Sequence, residues 1–276
     1  MKTLLLASAL AAAFPALAQE RFDCVLDPSA IVKVGTPVPG QLSEVMVQRG
    51  SKVELGQPIA RMESSVEAAT VALGALQAES LAAITAQEAR VDLATRKLQR
   101  ASKLATNQIV AQQEIDTLQA ELAINEQELA RVTEQRDLAR LELARSKAIL
   151  ELRTIKSPLR GVVTEHNLTG GEYVSQDNHI LTIAALDPLY VETFLPVRLY
   201  AQVKVGQTAT VGTEAPISGR YEARVSVVDQ VFDAASGTFG VRLELPNPDE
   251  ALPAGLRCQV SFEPTSASAG GSPKVE

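Results

Sequence analysis

Two hydrophobic periods divide this chain. From 64 to 153 apolar residues recur at helical spacing, and on either side they alternate with polar ones or cluster between turn residues, as strands do. The central stretch has no proline and is rich in Ala, Leu, Glu, Gln and Arg, all strong helix formers, with Gly74 as its one glycine. Its second half carries a heptad: Ile115, Leu122, Leu129, Arg136, Leu143 and Leu150, with Leu118, Asn125, Val132, Ala139 and Ser146 between them. The first half is weaker, with Ile84, Val91, Leu98 and Ala105 on one seam and Gln87, Ala94 and Ala101 between. The pattern breaks near Thr106, Asn107 and Gln108. Two arms of about 40 residues, each about 60 Å long at 1.5 Å per residue, are therefore expected to form an antiparallel coiled-coil hairpin. Its tip falls near 105–111.

The flanks repeat each other. Pro37, Gly40, Gly50, Val53 and Ile59 match Pro158, Gly161, Gly171, Val174 and Ile180 at one constant offset. Each half offers a few short strands that cannot bury a face alone, so two halves are expected to close one small flattened barrel. The hairpin then interrupts a single β-domain made of 37–63 and 154–186. Residues 19–36 read as an extended lead-in. Residues 187–263 read as a small antiparallel barrel, with Tyr221, Ala223, Val225 and Val227 expected to point one way along a strand. The tail, 264–276, is Ser, Gly and Ala with late Pro and charges, a disordered composition.

The ends and the charge narrow the setting. Residues 1–18 read as a signal peptide: Lys2, an apolar run over 4–13, and Ala16-Leu17-Ala18 as a cleavage site. No later stretch is expected to span a bilayer. Arg21-Phe22-Asp23 before Cys24 does not suit lipid attachment, so a soluble, exported, non-lipidated chain is expected. A net charge of -7 argues against nucleic acid as a partner. Cys24 and Cys258 either form a disulfide or stand as two buried thiols. His166 and His179 share no ligand spacing with them, so no metal site is expected. No phosphate loop, nucleophile elbow or catalytic cluster is present, and the chain does not read as an enzyme. Glu63, Glu67 and the helix charges read as a solvated face.

Exposed apolar residues at the end of a rod suggest docking. The segment around the tip supplies Leu104, Ile109 and Val110. The half-motifs PVPGQLSEVMVQRGSKVELGQPIARMES and SPLRGVVTEHNLTGGEYVSQDNHIL, split by a long helical hairpin and followed by a β-barrel, resemble the periplasmic adaptor subunits of tripartite efflux and type I secretion systems, the membrane fusion proteins. The resemblance implies a mixed α and β fold, elongated and multi-module, with the hairpin inserted in a lipoyl-like domain. It implies a ring, such as a hexamer, that links an inner-membrane transporter, RND in preference to ABC type, to an outer-membrane channel protein. The tip residues Arg100, Leu104, Thr106, Asn107, Ile109 and Ala111 would bind that channel. Family members carry arginine, leucine four residues on, and serine seven further. Here Arg100 and Leu104 match, and Ala111 replaces the serine. The chain also ends almost at the barrel, so the lead-in is expected to lack its usual partner segment. A swinging-arm carrier would need a lysine between the half-motifs, where Arg61-Met62-Glu63-Ser64 stands instead, and no cofactor is expected. The rival reading is a free-standing periplasmic coiled-coil scaffold with no transporter.

Overall fold

A computed structural model describes residues 20–105 and 111–262. The expected signal peptide, 1–18, the expected tail, 264–276, and the tip residues Thr106, Asn107 and Ile109 lie outside the described residues. In chain order the elements are β1 (Phe22–Val34), β2 (Gly40–Val45), β3 (Lys52–Val53), β4 (Pro58–Met62), α1 (Ser65–Glu79), α2 (Ala82–Ala105) and α3 (Gln112–Glu151). Then follow β5 (Thr154–Lys156), β6 (Gly161–His166), β7 (Tyr173–Val174), β8 (Leu181–Pro196), β9 (Thr208–Thr213), β10 (Gly219–Val228), β11 (Thr238–Leu245) and β12 (Arg257–Phe262). The described residues form two compact units. One draws on 20–32, 159–164 and 183–262, the other on 33–105, 111–158 and 165–182.

The first unit is a β-barrel with strand order β1-β12-β9-β10-β11-β8, and β1 also pairs with β8. Alternation drives it: Val241, Leu243 and Leu245 on β11 are buried while Arg242 and Glu244 face out. The core gathers Leu26, Leu189, Val191, Leu195, Val211, Val225, Phe239 and Val260. The lead-in, expected as an extended strand that lacks its usual partner segment, is β1, and it pairs within the barrel. Phe22, Asp23, Cys24 and Val25 pair with Val260, Gln259, Cys258 and Arg257 of β12, and Cys24 and Leu26 turn into the core. Cys24 and Cys258 are directly opposite, with Cα atoms 4.8 Å apart, and are joined as a disulfide. A second departure is Val227. A bulge between Val225 and Val227 shifts the register against β11, so Val227 turns outward and Val228 packs against the core in its place.

The second unit holds a four-stranded sheet, β5-β4-β2-β7, and the three helices. The internal repeat is visible strand by strand. β2 and β6 span equivalent residues at the constant offset, as do β3 and β7. Gly50 and Gly171 both take a positive φ, +87° and +94°, which explains why both halves need glycine there. Val53 and Val174, and Ile59 and Ile180, are all buried. The halves exchange partners: Gly40 and Gln41 of β2 pair with Val174 and Tyr173 of β7.

The insert differs from two equal arms. α3 runs unbroken for 40 residues, but the first arm is cut at Ser80 and Leu81 into α1 and α2. Ser80 is extended, with ψ 123°. Arg136 explains the cut. It occupies a seam position of α3, and its Nε donates to the Ala78 carbonyl at 3.3 Å, an acceptor that the broken helix leaves open. The stretch Ser65–Leu104 is long and apolar enough to cross a membrane by length and composition, against the expectation that no later stretch would be. Alanine and leucine with few charges give it that composition, while in the fold α1 and α2 both pack along α3.

Candidate functional site

The helical insert is held at its base by one side chain. Arg153 follows α3, and its Nε and Nη2 donate to Glu67 of α1 at 3.0 and 2.6 Å. Its Nη1 donates to the Pro39 carbonyl at 3.3 Å, and its own carbonyl accepts the Met62 N–H at 2.8 Å. The guanidinium thus ties the start of α1 to the turn before β2, and the backbone of the same residue ties the end of α3 to β4. Glu67 is therefore no part of a solvated face: its side chain is 19% exposed. The N–H of its own backbone, then Arg153, hold its carboxyl below the ordinary value. Glu63 does stay outside, where its carboxylate accepts the Ser65 N–H at 2.9 Å at the start of α1.

Above the base, α3 runs antiparallel to α1 and then α2. Leu143 lies against Gly74, and Gln87 Nε2 donates to the carbonyl and side-chain oxygens of Asn125 at 3.0 and 3.3 Å. Ala78, Ala94 and Ala101 are the buried small residues of the first arm, which permit close approach. Gln87 is buried too, and Arg90 donates to its Oε1, so the polar layer is satisfied on both sides. The Lys97–Glu121 ion pair, at 3.0 Å, ties the arms further along.

At the far end, Arg100 and Leu104 sit one turn apart on α2. Arg100 is exposed and its Nε donates to the Arg96 carbonyl at 3.3 Å, while Leu104 is half exposed. Ala111 is the N-cap of α3, extended at φ −71° and ψ 147°, and its carbonyl accepts the Glu114 N–H. An alanine cannot cap with its side chain, and no side-chain cap is made there. Ile115 is buried one turn on and closes the seam. Of the expected tip residues, the fold describes Arg100, Leu104 and Ala111.

Sequence reasoning missed a second feature of the helices. α1 exposes Val66, Leu73 and Leu76, and α3 exposes Leu138, Leu141 and Ile149. These lie off the heptad seam, and a shallow cleft on α3 runs past Ala130, Thr133, Asp137, Leu138 and Leu141. The signal was present as apolar residues outside the heptad positions, which the two-in-seven reading set aside. Among the described residues no cluster of His, Cys, Asp or Glu could hold a metal ion.

The domain pattern has relatives. Residues 30–185 match the model of the CzcB-like barrel-sandwich hybrid domain, and residues 188–266 that of the CusB-like beta-barrel domain. The macrolide export protein MacA of Escherichia coli O157:H7 is 28% identical over 252 residues, 87% of this chain and 66% of that one. The cobalt-zinc-cadmium resistance protein CzcB of Cupriavidus metallidurans is 25% identical over 240 residues, 83% of this chain and 45% of that one. This chain therefore spans just under two thirds of MacA and less than half of CzcB. The crystal structure of MacA from Actinobacillus actinomycetemcomitans shares the fold, with a TM-score of 0.70 at 22% identity over 89% of this chain and 79% of that one. With a barrel-sandwich hybrid split by helices and a β-barrel after it, the chain belongs to the family of periplasmic adaptors, or membrane fusion proteins.

Proposed function

We propose that the chain is a periplasmic adaptor of a tripartite efflux or secretion system. Copies of it associate as a ring and link an inner-membrane transporter to an outer-membrane channel protein. The observation that carries the reading is the joint match of both domains, in family order, with the helices inserted between the two halves of the repeat. On this reading the helices are a coiled-coil hairpin fixed at its base by Arg153 and free at the end that holds Arg100, Leu104, Thr106, Asn107, Ile109 and Ala111. That end meets the channel protein. The bare apolar faces of α1 and α3 meet neighbouring copies in the ring. The chain performs no catalytic step; it is a wall and a coupling. MacA is named for macrolides and CzcB for cobalt, zinc and cadmium, so the reading commits to no cargo class, and it admits a transporter of either RND or ABC type.

Leu104→Cys and Ala111→Cys, probed in cells with a short bifunctional thiol reagent, test this. Adducts with an outer-membrane channel protein are expected. Adducts with soluble proteins alone would support the free-standing scaffold and sink the adaptor reading.

A further inference from the structure

The first arm has to find its register on α3 twice. α1 is set at the base, where Glu67 takes the Arg153 guanidinium. The break at Ser80 and Leu81 then uncouples α2, because a helix hands its phase on only while its backbone stays helical. α2 starts afresh at Ala82 and packs along α3 over 24 residues. A feature beyond the break must decide which residues of α3 it faces.

Most of the seam cannot decide it. Gln87, Ala94 and Ala101 stand seven apart, as do Ile84, Val91 and Leu98. Moved by one heptad, alanine replaces alanine and aliphatic replaces aliphatic. α3 answers in kind, with Leu122 and Leu129 on one line and Leu118 and Val132 on the other. The Lys97–Glu121 ion pair is no better a marker. Glu114, Glu121 and Glu128 are also seven apart, so a slip of one heptad either way brings Lys97 to another glutamate. The two side chains of the pair are 41% and 42% exposed, where an ion pair adds little.

Gln87 is the exception. It is 3% exposed, on a line whose other members are alanines. Its Nε2 donates to the Asn125 carbonyl and, at 3.3 Å, to the Asn125 Oδ1, and its Oε1 accepts from Arg90 Nη1 at 3.2 Å. Asn125 is itself oriented: its Nδ2 donates to the Glu121 carbonyl at 2.8 Å, which leaves Oδ1 to Gln87. A backbone carbonyl recurs at every residue of α3, but a side-chain acceptor on this line stands at Asn125 and not at Leu118 or Val132. After a slip of one heptad Gln87 would face one of those two, and its amide would be buried against hydrocarbon with that bond lost. One register satisfies it and the neighbouring ones do not. A buried polar residue in an apolar seam is a device of this kind, selecting one alignment among several of similar packing.

We propose that Gln87 and Asn125 key the register of α2 on α3. They are positioning residues. On the adaptor reading, on which this one consequence rests, they set the height at which Arg100 and Leu104 stand against Ala111. The key is tested inside one chain, with no channel protein, so its outcome is independent of that reading. Lys97→Cys is combined in turn with Glu121→Cys, Glu114→Cys and Glu128→Cys, the native cysteines being joined to each other. A bifunctional thiol reagent too short to bridge one heptad, about 10 Å at 1.5 Å per residue, reads the register. With Gln87 and Asn125 in place, the 97–121 link is expected to dominate. Gln87→Leu with Asn125→Leu keeps the seam apolar and is expected to retain ellipticity at 222 nm. It is also expected to raise the yield of the 97–114 or 97–128 link about tenfold or more. Gln87→Asn with Asn125→Gln restores a polar pair and is expected to return the 97–121 link. Should the double leucine variant lose helix, Gln87→Leu alone gives the same reading, since Asn125 keeps its bond to the Glu121 carbonyl. A leucine variant that still links 97 to 121 alone would overturn the proposal. So would equal yields of the three links with Gln87 and Asn125 in place, or an exchanged polar pair that slips as the leucine variant does, which would assign the register to side-chain bulk.

Discussion

The barrel and the helices use the same apolar residues to opposite ends. In the barrel Leu189, Val191, Leu195, Val211, Leu243 and Val260 are wholly enclosed, and a disulfide joins the first strand to the last. In the helices the buried positions are few and mostly small: Ala78 on α1, Gln87, Ala94 and Ala101 on α2, and Ile115 and Ser146 on α3. Leu73, Leu76, Leu138 and Leu141 face water. A closed sheet buries one face of every strand against the others, so it completes its own core. Two arms meeting along one seam leave most of each helix surface bare, and what lies there is available to another chain. One region therefore completes its core within itself, and the other leaves apolar faces bare.

The contrast has a sharp test. Leu243→Ala, in the barrel core, is expected to cost about 2–5 kcal/mol, whereas Leu138→Ala, on α3, should stay within about 0.5 kcal/mol. Urea unfolding read by tyrosine fluorescence in a Tyr173→Phe background follows the barrel, which holds Tyr190, Tyr200 and Tyr221, the other three of the four tyrosines, and ellipticity at 222 nm follows the helices. Equal losses in the two variants would erase the distinction. Next in size is the covalent tie. Cys24→Ala with Cys258→Ala should lower the barrel transition by about 2–4 kcal/mol and leave the helical transition in place. A drop in both would mean that the regions unfold as one. The smallest effect lies at the helix base. Because Glu67 titrates below its ordinary value of 4.5, its pairing with Arg153 stabilises the fold above that pH. The contribution is lost as pH falls through the lowered value. Glu67→Gln should flatten this acid loss in the helical signal, by well under about 1 kcal/mol given partial solvent screening. A wild-type helical transition that does not weaken below pH 4.5 would remove the clamp from the account.

Much of this was legible from residue order, for reasons that particular positions make plain. Gly50 and Gly171 announced the repeat because a positive φ admits little else, and Leu122, Leu129 and Leu143 announced α3 because its period is undisturbed. Arg136 was legible as an anomaly in the heptad but not as a cap, since its partner is the backbone of Ala78, and backbone carbonyls leave no mark in sequence. Ser80 and Leu81 hid the break in the first arm because neither is a strong helix breaker. Val227 was misplaced because a bulge inserts one residue without changing composition. β1 read as a lead-in because its partners on β12 lie at the other end of the chain. At the tip, Arg100 and Leu104 come from the resemblance to the family and remain a proposal, whereas the bare faces of α1 and α3 depend on which side of each helix its partner covers.

The bridge between Cys24 and Cys258 spans 234 positions of sequence. It turns nearly the whole fold into one covalent circle. A protease that cuts anywhere inside it leaves both fragments attached, so damage to the helices would show on a gel only after reduction. The circle also sets an order of events. In a chain delivered N-terminus first, β1 arrives long before β12, and Cys24 waits as a thiol until β12 has followed. Closure of the bond is then a mark that the last barrel strand has arrived: a copy cut short before Cys258 cannot acquire it.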